Sequence, residues 1–246
     1  MIMTDCNLLS GGADNTVPNW LVDLGDRHSE QFSSLARREA VVNFYDRWIL
    51  PTILDLAMRQ RQLEKYRREV VAAANGRVLE VGVGSGLNFS LYGKQVEIAF
   101  GIAPSPGLLA IARRRAVAAG VRAEFLQGSA TAISLADNTV DTVVMTWTLC
   151  SIADPLAALR EMRRVLKPGG KLLFVEHGLS PEPGIERWQH RLTPIWCHVA
   201  GGCHLDRKMD DLIRSAGFDM TRLRTEYANG PRPMTYMYLG CAQLAA

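Results

Sequence analysis

From about Ala36 the apolar residues recur at helical spacing: Val41, Val42, Phe44, Tyr45, Trp48 and Ile49. Pro51 punctuates this stripe, and Ile53, Leu54, Leu56, Ala57, Leu63, Tyr66 and Val70 continue it. Apolar positions three and four apart share one face of a helix. The pattern predicts one long kinked helix or two helices, closed at Asn75-Gly76, where a glycine can end the last turn. Residues 1–35 have no sustained period and are rich in Asn, Asp, Ser and Gly, so a flexible segment is expected there.

Beyond Gly76 short apolar runs alternate with helix-like segments. Arg77–Val81 predicts a strand, then a glycine-rich turn and a short helix. Val96–Ile102 predicts a second strand, Pro106–Ala119 a helix ended by Gly120, and Ala123–Leu126 a third strand. Val140–Met145 is expected as the fourth strand, and Pro155–Leu166 as a helix with Asp154 as its N-cap. Leu166–Gly170 predicts a tight turn into the strand Lys171–Glu176. Residues 184–216 have helical character with a break at Gly201-Gly202. Two last strands, near Met220–Tyr227 and Met234–Cys241, have no helix between them and should pair antiparallel at an edge. Strands alternating with helices imply an α/β fold, with a doubly wound, mostly parallel sheet covered on both faces. No internal repeat is present.

The 246 residues are 48% hydrophobic and 22% charged, which suits one large domain. That domain is expected over 36–246, with 36–75 as a helical cap. The formal net charge of +3 is too small to imply a nucleic-acid partner. Arg67-Arg68 and Arg113–Arg115 fall within helical patterns and read as solvated faces. The five cysteines, at 6, 150, 197, 203 and 241, include no CxxC pair. Neither a metal site nor a disulfide framework is therefore expected, and reduced thiols suit a cytoplasmic protein. No signal-peptide pattern occurs and no run reaches the roughly 18 apolar residues of a membrane span, so a soluble protein without stable membrane insertion is expected.

The stretch VLEVGVGSGLN, Val78–Asn88, carries the strongest chemical signal. Glycines 82, 84 and 86 directly follow a strand with Glu80 just upstream. Such glycines let backbone approach a ligand and let the next element begin beside it, as nucleoside-cofactor sites require. The spacing is GxGxG, not the GxGxxG of dinucleotide folds. The second strand ends in FGIAPSPG, with Ala103 where an acid gripping a ribose would stand.

Together with LKPGGKLLFVEHG, these stretches resemble the class I S-adenosylmethionine-dependent methyltransferases over about residues 40–246. The tail RWQHRLTPIWCHVAGGCHLDRKMDDLIRSAGF resembles small bacterial relatives of the animal alkyl-thiol methyltransferases. The resemblance implies strand order 3-2-1-4-5-7-6 with the seventh antiparallel, in a Rossmann-like fold with an N-terminal helical lid. It implies that Glu80 receives the cofactor's amino group and that Gly82, Gly84 and Gly86, with Asn88 after them, pass under its methionyl part. Gly128, Ser129 and Ala130 match the adenine loop, and Thr146 would lie near the sulfonium. Ala103, Pro104 and Ser105 occupy the ribose turn, where Ser105 and backbone N–H groups are expected to compensate in part for the missing acid.

Ser129 likewise replaces a frequent adenine-binding acid. A carboxylate on a ribose diol is worth on the order of 1.5–3 kcal/mol, so its loss would weaken binding roughly 10- to 150-fold. Tolerated weak binding, a substituted residue and lost transfer activity are three readings that remain open.

The implied reaction is methyl transfer from S-adenosylmethionine, leaving S-adenosylhomocysteine, to a small lipophilic acceptor, with a thiol favoured. The alternatives are O-, N- or C-transfer to a quinone, phospholipid amine or natural-product scaffold, or a methyltransferase-like cyclase or binding protein. Candidate bases are His177, His204 and Asp206. His177 has an equal reading as a structural hydrogen-bonding group, and Asp206 one as the cap of a helix over Arg207–Ala216. Cys203 reads first as a small buried residue. Tyr45, Trp48, Cys150, Trp188 and Trp196 are expected around a small-molecule acceptor pocket.

Overall fold

A computed structural model describes residues 55–245, residue 57 excepted. The part of the expected 36–75 cap before residue 55, with Tyr45 and Trp48, and the flexible segment 1–35 lie outside the described residues. The first helix, α1, spans Arg61–Val71 and is followed by β1, Gly76–Val81. A single 3-10 turn at Phe89–Leu91 stands where the short helix was expected. Then come β2 (Val96–Ala103), α2 (Pro106–Ala119), β3 (Ala123–Gln127), β4 (Val140–Thr146), α3 (Pro155–Val165) and β5 (Leu166–His177). The chain closes with α4 (Pro183–Val199), α5 (Met209–Ser215), β6 (Phe218–Tyr227), the one-turn α6 (Arg232–Thr235) and β7 (Tyr236–Leu244).

The seven strands form one sheet in the order β3-β2-β1-β4-β5-β7-β6. β7 runs antiparallel to both β5 and β6, and every other pairing is parallel. The order reverses between β1 and β4, the place where open α/β sheets carry their ligands at the carboxyl ends of the strands. Both faces are covered. Leu172 and Phe174 of β5 enter the core with Leu159, Met162 and Ile213, whereas Leu173 and Val175 pack on the other face with Val70 and Val71. This alternation explains why β5 reads as a continuous apolar run.

Local signals set several boundaries. Ser105 Oγ accepts from Leu108 N at 3.3 Å, Pro106 opens α2, and Gly120 ends it at φ +67°. Asp154 caps α3 by accepting from Ala157 N at 2.9 Å. Two boundaries depart from expectation. Leu166 already pairs with Val140, and Lys171 with Thr142, so the expected turn at 166–170 is an outward loop within β5 rather than a connection before it. Met234 lies in α6, and β7 begins only at Tyr236, because Pro231 and Pro233 punctuate the entry to the strand.

Candidate active site

A cavity of about 1000 Å³ lies at the carboxyl ends of β1, β2, β4 and β5. Its lining includes Glu80, Gly82, Gly84, Asn88, Ala103, Pro104, Gly128, Ser129, Ala130, Thr146, Cys150, His177 and Trp196, which the sequence had singled out. Gly86, Ser105, Trp188, His204 and Asp206 are not on that wall.

Glu80 is the penultimate residue of β1 and is 2% exposed. Asn88 Nδ2 donates to its Oε1 at 3.0 Å, and the Tyr92 hydroxyl to Oε2 at 2.7 Å. Burial pushes the carboxyl up to about 7, against the opposing pull of those two hydrogen bonds and of Arg67. Asn88 Nδ2 also reaches Thr146 Oγ1 at 3.2 Å, tying β1 to the end of β4. Asn88 Oδ1 is buried with no partner among the described residues. An acid and an unsatisfied amide oxygen on one cavity wall suit a ligand ammonium group, because such a donor would satisfy both.

The glycines of this loop have distinct reasons to be glycine. A Cβ on Gly82 would stand 2.3 Å from the Thr148 side chain, and one on Gly86 would meet Phe89 and the Ala112 backbone. Gly86 therefore packs the loop onto α2 rather than facing the cavity. A Cβ on Gly84 would find only a carbonyl oxygen at 3.8 Å, so its φ of +53°, not crowding, excludes side chains.

Ala103 is buried at the end of β2 and presents no polar group to the cavity. Ser105, expected to help there, is engaged as the cap of α2 and does not line the wall. Ser129 Oγ accepts from Thr131 N at 3.2 Å and pairs with Thr131 Oγ1 at 2.7 Å, closing a local turn.

The loop after β4 forms another wall, and Glu176 shapes it. This fully buried carboxylate accepts from the N–H groups of Thr148 at 2.7 Å and Leu149 at 3.0 Å, with Cys150 N at 3.4 Å. Burial pushes its pKa up, opposed by those N–H donors and by His177. Arg207 holds the same loop by donating to the carbonyls of Leu149 at 2.6 Å and Ile152 at 2.7 Å, and His204 N donates to Cys150 O at 2.8 Å. Trp147 is held at φ +49°, a costly conformation for a large side chain. The Arg67 guanidinium lies 4.8 Å from its ring centroid.

Arg67 is 4% exposed and lines the cavity, which corrects its reading as part of a solvated face. Burial lowers its pKa to about 10, resisted by the charges of Glu80, Glu64 and Asp55. Arg115 departs from the same expectation: it donates to Asp55 Oδ1 at 2.7 Å and to Ser85 O at 3.0 Å. The Ser85 hydroxyl donates to Asp55, so Asp55 is anchored to the glycine loop. Burial raises the Asp55 pKa, but hydrogen bonds from Arg115, Ser85 and Arg59 outweigh it and bring the value to about 2.

His177 ends β5, and its Nε2 lies 2.8 Å from Cys203 Sγ. Trp196 Nε1 donates to the same sulfur at 3.2 Å. His204 and Asp206 lie away from the cavity wall. Asp206 instead faces His190 Nδ1 at 3.1 Å, and the helix after it starts only at Met209, with no side-chain cap. Neither expectation for Asp206 therefore describes its contacts. Trp188 is 54% exposed on α4. Asp55, Arg67, Arg115 and Glu176 carried no sequence signal of these roles, since the contacts that define them, such as Arg115–Asp55 and Glu176–Thr148, join positions distant in the chain.

Comparison with known proteins agrees with this geometry. Residues 79–174 match the family model described as a methyltransferase domain. The thiol S-methyltransferase TMT1B of Rattus norvegicus is 30% identical over 191 residues, covering 74% of this chain and 75% of the relative. A phosphatidylethanolamine N-methyltransferase of Cereibacter sphaeroides is 36% identical over 143 residues, covering 56% and 68%. The fold is shared with the N-methyltransferase NodS of Bradyrhizobium japonicum, solved with S-adenosylhomocysteine. That likeness has a TM-score of 0.60 at 14% identity and covers 76% of this chain and 90% of that one. The chain belongs to the class I S-adenosylmethionine-dependent methyltransferases, and S-adenosylmethionine is its cofactor. The homologues act on small molecules, which supports a small acceptor. No helix among the described residues is long and apolar enough to cross a membrane.

Proposed function

We propose that the protein methylates a small lipophilic acceptor, a thiol in preference to other nucleophiles. One observation carries this reading: a single cavity holds both buried Glu80 and an apolar wall of Ile152, Trp196, Val199, Met234 and Met237. His177 is the imidazole on that wall. The thiol S-methyltransferase similarity supports sulfur as the acceptor atom.

In this reading Glu80 and Asn88 Oδ1 take the cofactor's amino group, and Gly82 and Gly84 pass under its methionyl part. Gly128, Ser129 and Ala130 face the adenine, and Ala103 and Pro104 the ribose without a carboxylate. Thr146, held by Asn88, stands beside the transfer region. The cofactor supplies a methyl group already activated on a sulfonium. The chain therefore has to bind, orient and exclude water, which is where most of the rate comes from. A thiol of pKa around 8.5 needs modest help to lose its proton, and His177 on the cavity wall is the candidate to give that help.

The test is a panel of alkyl thiols, phenols and amines incubated with S-adenosylmethionine and read by mass spectrometry. Methylated thiols are expected to dominate. Methylated amines or phenols in their place would move the acceptor assignment. Calorimetry showing no S-adenosylhomocysteine binding at millimolar ligand would reject transfer altogether.

A further inference from the structure

We propose that Cys150, His177 and Cys203 form a three-ligand site for a soft divalent cation, Zn²⁺ foremost, whose fourth position opens to the cavity and takes the acceptor's sulfur. The last clause rests on the thiol reading above. The cation site itself does not.

The three residues come from separate elements: the loop after β4, the end of β5 and the segment before α5. Their ligand atoms nevertheless lie within 4.8 Å of one another. A tetrahedral zinc with Zn–S near 2.3 Å and Zn–N near 2.1 Å would set its ligand atoms roughly 3.6–3.8 Å apart. The cluster already has that scale. The His177 Nε2–Cys203 Sγ contact, at 2.8 Å, has to open by about 1 Å, and any separation near the 4.8 Å limit has to close by about as much.

A simple imidazole–thiol hydrogen bond accounts for that one contact but not for the third member. The Cys150 thiol also lies against Cys203, and it meets Ser151 Oγ at 3.5 Å. Two sulfurs and an imidazole make a donor set that selects zinc or a similarly soft ion. The positions are fixed by contacts that do not depend on a ligand. Glu176 and the His204 N–H hold the Cys150 backbone, Cys197 Sγ donates to Cys203 O at 3.3 Å, and β5 pairing with Met237 places His177. Trp196 Nε1 donates to Cys203 Sγ, the kind of outer hydrogen bond that orients a metal thiolate.

All three residues line the cavity, so a cation among them would have protein on one side and the acceptor space on the other. Three protein ligands and one open position distinguish reactive zinc sites from closed structural ones. Two thiolates balance the charge of a divalent ion, leaving a neutral centre that tolerates burial. A thiol entering the fourth position is deprotonated by coordination. Its proton leaves to solvent, its sulfur forms the new S–CH3 bond, and the sulfonium C–S bond breaks to leave S-adenosylhomocysteine.

The experiment uses the full chain, stripped with a chelator and titrated with Co²⁺ as a coloured stand-in for zinc. One equivalent should bind with intense thiolate-to-cobalt charge-transfer absorption and tetrahedral visible bands, both displaced by Zn²⁺. Cys150→Ser and Cys203→Ser should each weaken Co²⁺ binding at least roughly 100-fold, more than the loss of an outer-shell partner. Cys241→Ser should leave the bands intact. S-adenosylhomocysteine affinity and circular dichroism check that each variant folds. The wild-type spectrum decides the matter even if a variant does not fold. No thiolate band, or one that survives Cys203→Ser, overturns the site. Thiol methylation at full rate by metal-free protein overturns the fourth-position clause while keeping the S-methyl reading. A visible spectrum shifted by added alkyl thiol supports the fourth-position clause, and an insensitive one rejects that clause. Intact bands with no methylation of thiols reject the S-methyl reading alone.

Discussion

The Tyr92 hydroxyl donates to Glu80 Oε2 at 2.7 Å, yet burial outweighs this hydrogen bond and the one from Asn88. Arg67 is the nearby cation, and it too is desolvated. The free protein therefore holds Glu80 poised near neutrality.

That poise predicts a pH-dependent affinity. A carboxyl whose pKa is raised from 4.5 to about 7 favours the folded state most below the unfolded value, and this contribution is lost as pH rises through about 7. A cofactor ammonium prefers the carboxylate form. S-adenosylhomocysteine affinity should rise by up to about tenfold per pH unit below 7 and level off above it. Calorimetry in buffers of different ionisation heat should show proton release near pH 6. Glu80→Gln should abolish both effects, and a flat wild-type profile would count against this role for Glu80.

Gly84→Ala separates backbone strain from crowding. Its Cβ would meet almost nothing, so the cost is about 1–2 kcal/mol of left-handed conformation. A melting-point loss of roughly 2–8 °C and about tenfold weaker ligand binding are expected. Gly82→Ala, whose Cβ would collide with Thr148, should be worse in both measurements.

Removing the Arg115 side chain should destabilise the protein by about 2–3 kcal/mol in urea unfolding, since Asp55 would keep Arg59 but lose its more buried partner. Asp55 now contributes stability above its unfolded value of 3.8, and that contribution disappears as pH falls through about 2. In Arg115→Ala the Asp55 pKa rises, so the acid-unfolding midpoint should move to higher pH. An unmoved midpoint would place the energy of this contact elsewhere.

Ala103→Asp is expected to tighten S-adenosylhomocysteine binding roughly 10- to 150-fold by restoring a carboxylate beside the ribose. Unchanged affinity in the folded variant would mean that the ribose is held by another group.

Elements bounded by local signals were readable from the chain. α2 lies at its expected limits because Ser105, Pro106 and Gly120 each act within a turn of themselves. The Glu80–Gly84 loop was legible for the same reason. The order of the strands came from family resemblance, because periodicity does not say which strand is whose neighbour. Charged residues were the hardest to read. Arg67 and Arg115 look like members of solvated runs, yet one covers Trp147 and the other clamps Asp55. The distant spacing of Cys150, His177 and Cys203 hid their proximity from any motif search. His204 and Asp206 attracted attention as chemistry-bearing residues, while the neighbouring Arg207 is the one that grips a cavity loop.

The hydrogen bonds from Thr148, Leu149 and Cys150 to Glu176 mean that this loop's shape is written in another strand. Transplanting residues 147–151 into a related scaffold would carry their side chains without their conformation. A recipient lacking a buried carboxylate at the matching place in its fifth strand would have to supply new acceptors for those amides. The unit that can be exchanged between relatives is therefore a loop together with its neighbour's acid.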